Sequence, residues 1–303
     1  MNLRWNSSGL RHNRLSFLAP ALALLTITGM SAQQRPRGHL VIIGGGERGP
    51  EIMNTFVHLA GGSRSKIVIF PMASELADKA GPEQTASLRQ FGAGEVLYLN
   101  LKRSQADQES SLQLLEGVTG VFFSGGDQSR LTAALKGTRV EGQLHRLYEN
   151  GAVIGGTSAG AAVMSQIMLT GDERLHKDPS NPFISIQKAN VVTAEGFGFI
   201  DDAIVDQHFI KRRRYNRLVS LVLEHPNLIG VGIDEATAIV VNPDNTFNVV
   251  GSATVVVLDA SQARGIAADK DGNLSAADLR MHLLKSGDRY DMTTRKVILK
   301  AGP

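Results

Sequence analysis

The sequence predicts an α/β fold in which a parallel sheet carries helices on both faces. In the first half of the chain, short apolar runs alternate with amphipathic segments, a pattern typical of parallel strands buried on both sides. Three of these runs end in glycine-rich turns, after Ile43, Phe123 and Ile154. Because ligands of such sheets bind beyond the carboxyl ends of the strands, we expect a functional site at these turns.

Each element is predicted from its own pattern. Continuous or alternating apolar runs predict strands at residues 39–43, 66–70, 95–99, 120–123, 152–154, 203–209, 229–235, 236–242, 246–250 and 295–299. The turn at 243–245 predicts that strands 236–242 and 246–250 pair as a hairpin. Apolar residues at helical spacing predict helices at residues 51–59, 85–91, 108–115, 130–135, 140–150, 159–168 and 210–223.

The first 32 residues have the features of a secretory signal peptide. Arg4, Arg11 and Arg14 precede or flank an apolar run at 15–27, which is too short for a comfortable membrane span. We therefore expect cleavage near Ala32, a secreted or periplasmic protein, and a single α/β domain over residues 33–303. An uncleaved anchor or a wrongly assigned start codon is the alternative.

The net charge narrows the classes of partner, and the absence of cysteine narrows the classes of chemistry. The 32 basic residues exceed the 29 acidic ones by three, and the leader holds three arginines and no acid. The chain after residue 32 is therefore close to neutral, which gives no support for a nucleic-acid partner. The absence of cysteine excludes disulfides, thiolate metal sites and a cysteine nucleophile. We expect no membrane association once the leader is removed.

The stretch around Ser158 has the form of a nucleophile elbow. A predicted strand leads into Gly156-x-Ser158-x-Gly160, and a predicted helix follows. Small neighbours allow a strained backbone at the serine and a close approach of substrate. A purely structural glycine turn is the alternative, and the motif alone does not decide between them.

The second half of the chain supplies the partners that such a serine needs. His208 lies at the end of a predicted strand, beside Asp206 and Gln207, which makes it a candidate general base. Glu235 ends the next predicted strand. The structural alternatives are an ordinary surface or core histidine and a solvated turn acid.

A basic cluster follows His208, at Lys211–Arg214 and Arg217. Helical spacing places Arg214 on one stripe with Leu218 and Leu221, and Arg212 about one turn from His208. Arginines turned toward a site bind carboxylates through paired hydrogen bonds, whereas a solvated face would have no such role. Both interpretations remain open from spacing alone.

Two glycine-containing segments resemble cofactor loops without having the required spacing. The turn at 44–46 lacks both the dinucleotide fingerprint and the lysine of a phosphate loop, so tight-turn glycines are favoured. Residues 267–278 resemble a calcium loop but start on Ala267 and end on Asp278 instead of glutamate, so a turn in a strand pair is favoured. We expect neither a metal nor an organic cofactor.

Taken together, the motifs resemble the cyanophycinases, within the serine peptidase family that also contains aspartyl dipeptidases. Of these motifs, the segment Asp206-Gln207-His208-Phe209 with its arginines is more specific than the elbow. The resemblance covers roughly residues 38–260 and rests on the segments 43–46, 123–128, 155–161, 206–209 with Arg212, Arg214 and Arg217, and 232–238.

The resemblance implies a fold like that of class I glutamine amidotransferases and a defined set of site residues. It implies a triad of Ser158, His208 and Glu235, and an oxyanion hole formed by the amides of Gly126 and Ala159. It further implies a set of substrate-binding residues, namely Gln128, Asp206, Gln207, Arg212, Arg214 and Arg217.

The implied reaction is exopeptidase hydrolysis of cyanophycin, a poly-aspartate chain bearing arginine on each side-chain carboxyl, to β-aspartyl-arginine dipeptides. It needs no metal or organic cofactor. Each substrate unit also carries a guanidinium, for which Asp206 and Glu47 are candidate partners.

Three alternatives remain. A related exported dipeptidase or isoaspartyl peptidase would share the triad but prefer short peptides. An α/β-hydrolase esterase would share the elbow, but its acid precedes its histidine, so it would have to use His282. A catalytically silent binder of cyanophycin or anionic peptides is the third. The sequence does not determine the oligomeric state, and a homodimer stays open.

Overall fold

The structure is a computed structural model that describes residues 35–175 and 182–300. The predicted signal peptide, residues 1–32, lies outside the described residues. From Arg35 onward the described chain forms one compact unit.

The sequence patterns predicted strands at most of the positions where the structure has them. The predicted bounds of 66–70 and 120–123 agree with the structure, whereas the strand predicted at 229–235 ends two residues earlier, at Ile233. In chain order the strands are β1 (Leu40–Ile43), β2 (Lys66–Phe70), β3 (Glu95–Tyr98), β4 (Gly120–Phe123), β5 (Val153–Thr157), β6 (Ile167–Glu173), β7 (Val191–Glu195), β8 (Ala203–Gln207), β9 (Ile229–Ile233), β10 (Thr237–Val241), β11 (Thr246–Gly251), β12 (Val255–Asp259), β13 (Arg264–Ala268), β14 (Leu274–Ala277), β15 (Arg280–Leu284), β16 (Arg289–Asp291) and β17 (Lys296–Ile298).

The helices lie mainly between the strands of the first half of the chain. They are α1 (Pro50–Leu59), α2 (Ala77–Gln90), α3 (Arg103–Ala106), α4 (Glu109–Gln113), α5 (Gln128–Leu135), α6 (Arg139–Glu149), α7 (Ala159–Ala162) and α8 (Tyr215–Glu224). Among the residues described, no helix is long and apolar enough to cross a membrane.

A nine-stranded sheet forms the centre, in the order β17-β16-β11-β10-β1-β5-β4-β2-β3. The strands from β1 to β3 in that order are parallel, as predicted. The sheet is mixed and not only parallel, because β10, β11, β16 and β17 are added antiparallel, and the predicted hairpin of residues 236–242 with 246–250 is the pair β10–β11. A short turn at Asn245 joins β10 directly to β11, and a hairpin without a crossover can only give antiparallel pairing.

Helices cover both faces of the parallel half because successive strand side chains point to opposite sides. Val41 belongs to the same buried cluster as Phe56 of α1. Its neighbour Leu40 belongs to another, with Leu131 of α5 and Leu144 of α6. This arrangement confirms the α/β class and the two helical layers.

A second sheet, in the order β15-β12-β9-β8, packs against the first. Its Val205 and Val231 belong to the same buried cluster as Leu40 and Ile42 of β1. On its other face, Ile204 and Val256 pack with Leu218 of α8. The carboxyl ends of β8 and β9, which are parallel, therefore come close to the carboxyl ends of β1 and β5.

The helix predicted at 159–168 is only one turn long and ends at Ala162. Hydrogen bonds from another segment replace the helical ones, because the carbonyls of Val163 and Met164 accept the amides of Phe197 and Phe199. The chain then enters β6, which pairs with β7. Tertiary hydrogen bonds thus override the local helical preference of this alanine-rich stretch.

The helix predicted at 210–223 begins only at Tyr215. Residues 209–214 form turns, and Arg213 has a left-handed backbone with φ 54°. The carboxylate of Asp234 accepts the amide of Lys211 at 2.9 Å, which fixes the turn from outside. Arg214 is therefore the N-cap of α8 and not a residue within a longer helix, although its side chain is only 15% exposed, as expected for a residue facing the protein.

Candidate active site

Ser158 occupies the sharp turn between β5 and α7. Its backbone has φ 54° and ψ −110°, a strained conformation for a residue other than glycine. A Cβ on Gly156 would lie 2.4 Å from the Gly160 carbonyl oxygen, and one on Gly160 would lie 2.3 Å from that of Phe123. Both flanking glycines are therefore required by close backbone contacts.

His208 and Glu235 complete a hydrogen-bonded chain that starts at Ser158. The Nε2 atom of His208 lies 2.9 Å from Ser158 Oγ, and its Nδ1 atom lies 2.6 Å from Glu235 Oε1. A carboxylate only accepts, so Nδ1 carries the proton and Nε2 is left to accept from the serine hydroxyl. His208 follows β8 and Glu235 follows β9, whereas Ser158 follows β5 of the other sheet.

The end of β1 holds all three of these segments in place. Consecutive carbonyl oxygens of Ile43, Gly44 and Gly45 accept the amides of Ser158, His208 and Ala236, at 3.0, 2.7 and 2.9 Å. Each of the three donors has a positive φ. The strained backbone at each corner of the site is thus stabilised by one common segment.

The glycine turn after β1 also makes room for the histidine. A Cβ on Gly45 would lie 2.3 Å from Cε1 of His208, and one on Gly46 would lie 2.9 Å from Cβ of Glu235. Gly45 and Gly46 have φ 111° and 68°. The turn is a tight glycine turn, as the sequence indicated, but its contact with His208 could not be inferred from spacing.

The protonation states suit a neutral imidazole beside a charged carboxylate. Burial lowers the pKa of His208, and the cations of Arg212 and Arg214 lower it further against the opposing effect of Glu235. The hydrogen bond from His208 lowers the pKa of Glu235. At neutral pH, His208 can therefore accept a proton from Ser158.

Two backbone amides beside Ser158 are available as donors. Within residues 35–175 and 182–300, neither the amide of Gly126 nor that of Ala159 donates to a protein acceptor. Gly126 has φ 139°, and a Cβ there would lie 2.0 Å from the carbonyl oxygen of Ala73. Gly125 approaches the serine closely, since its Cβ would lie 3.4 Å from Cβ of Ser158.

Asp206 and Arg217, two of the predicted substrate-binding residues, are buried and paired with each other. The side chain of Asp206 is 1% exposed and that of Arg217 2%. Nε of Arg217 donates to Asp206 Oδ2 at 2.7 Å, and its Nη2 donates to Oδ1. The amide of Gln207 donates to the same carboxylate. The pair is thus buried near His208. A contact of either residue with substrate stays a prediction.

The other predicted substrate-binding residues differ in how much of their polar surface is free. Gln128 is buried and donates to the carbonyls of Leu169 and Thr170. Arg214 donates to the Gln207 carbonyl at 2.7 Å, and burial lowers its pKa to about 10, with Arg217 adding to the shift. Gln207 is buried, and its Oε1 atom has no hydrogen-bond partner among the described residues. The side chains of Arg212 and Glu47 are exposed and also have no such partner in the described chain.

A cavity of about 310 Å³ opens beside Ser158. Sequence patterns did not identify three of its lining side chains as site residues, namely Arg48, Ser74 and Gln84. Arg48 and Ser74 each lie shortly after the end of a parallel strand, which is the signal that could have found them; Gln84 lies inside α2 and carries no such signal. The lining residues are Gly45, Gly46, Arg48, Ser74, Ala80, Gln84, Gly125, Thr157, Ser158 and His208.

No cluster of three or more potential metal-ligating side chains occurs in the part of the chain that the structure describes. The turn at 269–273 joins β13 to β14, as the strand-pair interpretation predicted. Asp269 uses its carboxylate inside that turn, accepting the amides of Asp271 and Asn273.

Comparison with known proteins gives the class of this protein. Residues 40–249 match Peptidase family S51. The chain is 37% identical over 269 residues to a cyanophycinase of Synechococcus elongatus, covering 86% of this chain and 81% of that one. It is 34% identical over 275 residues to a cyanophycinase of Geminocystis herdmanii, covering 87% and 97%.

A solved structure agrees with these matches. A peptidase from an acI-B1 Actinobacterium is 25% identical and superposes with a TM-score of 0.61, covering 86% of this chain and 98% of that one. The protein is therefore a serine-type peptidase, a hydrolase. The chain belongs to Peptidase family S51, and the resemblance to cyanophycinases is confirmed.

Proposed function

We propose that this protein is an exported cyanophycinase that releases β-aspartyl-arginine dipeptides from multi-L-arginyl-poly-L-aspartate. The observation that carries the proposal is the hydrogen-bonded chain Glu235–His208–Ser158 beside two free amides. The names of the relatives supply the polymer substrate. The nucleophile on an elbow after a parallel strand is also consistent with the proposed likeness to class I glutamine amidotransferases.

In the proposed reaction, Ser158 Oγ attacks the carbonyl carbon of a peptide bond while its proton passes to Nε2 of His208. The developing oxyanion accepts hydrogen bonds from the amides of Gly126 and Ala159. Collapse of the intermediate breaks the C–N bond, and His208 returns the proton to the leaving amine. Water then hydrolyses the acyl-enzyme by the same route, with His208 as the base.

Glu235 keeps the imidazole in the required tautomer and stabilises the imidazolium that forms during each step. Its hydrogen bond to Nδ1 is short, at 2.6 Å, and joins a carboxylate to a ring nitrogen. The same hydrogen bond restricts the ring orientation, and the close approach of the Gly45 backbone to the imidazole restricts it further.

The basic residues around the triad suit a substrate rich in carboxylates. Each cyanophycin unit has a free carboxylate on its arginine, and an exposed guanidinium such as that of Arg212 can bind it in a forked geometry. The partner of the substrate guanidinium is proposed among exposed acids near the site, and Glu47 is one candidate. Asp206 is a weaker candidate because Arg217 already uses both of its oxygens.

The direct test is incubation of the purified protein with insoluble cyanophycin, followed by mass spectrometry of the soluble products. We expect β-aspartyl-arginine to accumulate as the main species. Ser158→Ala should remain folded and lose at least about four orders of magnitude in turnover, as in other serine triads. Retention of a tenth of the activity by a folded Ser158→Ala protein would show that another group is the nucleophile.

The same assay separates the proposed function from its closest alternative. A dipeptidase or isoaspartyl peptidase would hydrolyse short β-aspartyl peptides and leave the polymer intact. Polymer degradation by the parent, with little turnover of the dipeptide product itself, is the outcome that we expect.

A further inference from the structure

Arg48 lies beside the nucleophile without an anionic partner. It is half-buried and lines the same cavity as Ser158 and His208. In the described part of the chain its guanidinium makes neither an ion pair nor a hydrogen bond. Its one specific contact is with the ring of Phe122, whose centroid lies 5.8 Å from the guanidinium carbon. Burial lowers the pKa of Arg48, and no neighbouring carboxylate offsets that effect.

The rest of the cavity wall has the character of an anion site. Its lining residues include Arg48 and His208 and no acidic residue. Ser74 contributes a hydroxyl, and the backbone of Gly125 approaches from the turn after β4. The Oε1 atom of Gln84 is buried without a hydrogen-bond partner in the described residues. A buried acceptor and a half-buried cation without partners indicate that a ligand with both a donor and an anion belongs between them.

The other arginines near the triad are placed differently. Arg217 is bound to Asp206, and Arg214 donates to the Gln207 carbonyl. Arg212 is exposed, so water and salt screen its charge. Arg48 therefore combines partial burial with a free guanidinium, the condition under which a charged hydrogen bond to a ligand is strongest.

We propose that Arg48 binds a free carboxylate of the substrate in the cavity beside Ser158, and so selects peptides that carry a carboxylate next to the scissile bond. This inference rests on the proposed peptidase site at Ser158, and it does not depend on the polymer being the natural substrate. Gln84 Oε1 would accept an N–H group of the same ligand. Arg48 is thus a specificity residue of this site, separate from the basic cluster that follows His208.

The test measures binding, so that it does not require turnover. Calorimetric titration of Ser158→Ala protein uses three probes: β-aspartyl-arginine and its two monocarboxamides, each with one carboxylate neutralised. We expect one carboxamide to bind at least about tenfold more weakly than the dicarboxylate, the loss typical of one charged hydrogen bond. Adding Arg48→Gln to the Ser158→Ala protein should weaken binding of the dicarboxylate to the level of that carboxamide. The protein should then no longer discriminate between these two probes.

Matched variants keep the result interpretable. Arg64→Gln changes an exposed arginine outside the cavity and should bind all three probes as the Ser158→Ala parent does. Arg48→Lys keeps the charge, loses the fork and should give an intermediate loss, and it also replaces Arg48→Gln if circular dichroism shows that variant to be unfolded.

Two outcomes overturn the inference: discrimination that persists without Arg48, or absence of measurable dicarboxylate binding to the Ser158→Ala protein. Failure of the proposed function would look different. In that case the parent would leave cyanophycin intact while the carboxylate discrimination through Arg48 remained.

Discussion

At the scale of single residues, the proposed mechanism makes the action of Ser158 depend on the charge state of His208. Burial and two nearby arginines keep the imidazole neutral, against the effect of Glu235. The neutral form is the active base, so kcat/KM should rise with pH through the His208 pKa and level off above it. Because that pKa is lowered, the midpoint of the acidic limb should lie below the ordinary histidine value of about 6.5.

Removing one of these cations should move the acidic limb in a known direction. Arg212→Gln relieves a repulsion felt only by the imidazolium, so the His208 pKa should rise and the limb should shift to higher pH. The expected shift is a few tenths of a unit, because Arg212 is exposed and screened. A pH–rate profile on a small activated ester measures it without involving substrate carboxylates.

Arg213→Gln is the matched control, since it removes a neighbouring exposed arginine that is not among the groups shifting the His208 pKa. Its profile should superpose on that of the parent. An unshifted limb in Arg212→Gln, at low salt, would contradict the electrostatic role of Arg212.

At the scale of elements, the glycine turn after β1 supports the histidine by leaving space for it. Gly45→Ala would place a methyl group 2.3 Å from the imidazole and would also strain a backbone with φ 111°. We expect kcat to fall by about 100-fold or more, since a displacement of about 1 Å at a catalytic group has that effect.

Gly49→Ala provides the control for that substitution. Gly49 precedes α1 with φ −60°, and nothing lies within 4 Å of the position of its Cβ. This variant should keep the parent's activity and melting temperature. Full activity in Gly45→Ala would mean that His208 does not need the observed position.

The ion pair of Asp206 in β8 with Arg217 in α8 should contribute to the free energy of unfolding, which can be measured separately from activity. Arg217→Met leaves the 1%-exposed Asp206 carboxylate without its main partner. Losing one partner of a buried pair typically costs about 3–5 kcal/mol, so the free energy of unfolding in urea should drop by that order. A double variant, Arg217→Met with Asp206→Leu, should regain part of this loss. Unchanged stability in Arg217→Met would favour a role for Arg217 in substrate binding alone.

The same elements show which features the sequence could predict. Strands such as β2, β4 and β9 are continuous apolar runs, and burial on both faces makes them visible locally. The helix expected at 159–168 failed because Phe197 and Phe199, distant in sequence, supply its hydrogen bonds. The start of α8 failed because Asp234 fixes the preceding turn. Arg48 follows the end of a parallel strand and could have been found by that signal, whereas Gln84 lies inside α2 and reaches the cavity only through packing that no local pattern encodes.

At the scale of the whole molecule, two sheets share one core and contribute different parts of the site. Ser158 belongs to the central sheet, whereas His208 and Glu235 follow strands of the second. The order of the three along the chain matched the resemblance, and their distances required the packing of both sheets. The oligomeric state stays a prediction, with a homodimer open.

The proposed export is also tested on the whole chain. We expect the mature protein to begin near Gln33 and to accumulate in the periplasm or the culture medium. N-terminal sequencing of active protein recovered from those fractions measures this directly. Active protein that still carries residues 1–32 would contradict cleavage.

The three carbonyls at the end of β1 have a consequence for how this protein tolerates change. They position the site through main-chain atoms, so the identity of the Ile43 side chain matters little to the geometry beyond its packing. The number of residues matters a great deal. One residue inserted or deleted between Ile43 and Gly45 would change the spacing of these carbonyls and so displace Ser158, His208 and Glu235 relative to one another. Active variants of this protein should therefore keep the number of residues in this turn unchanged.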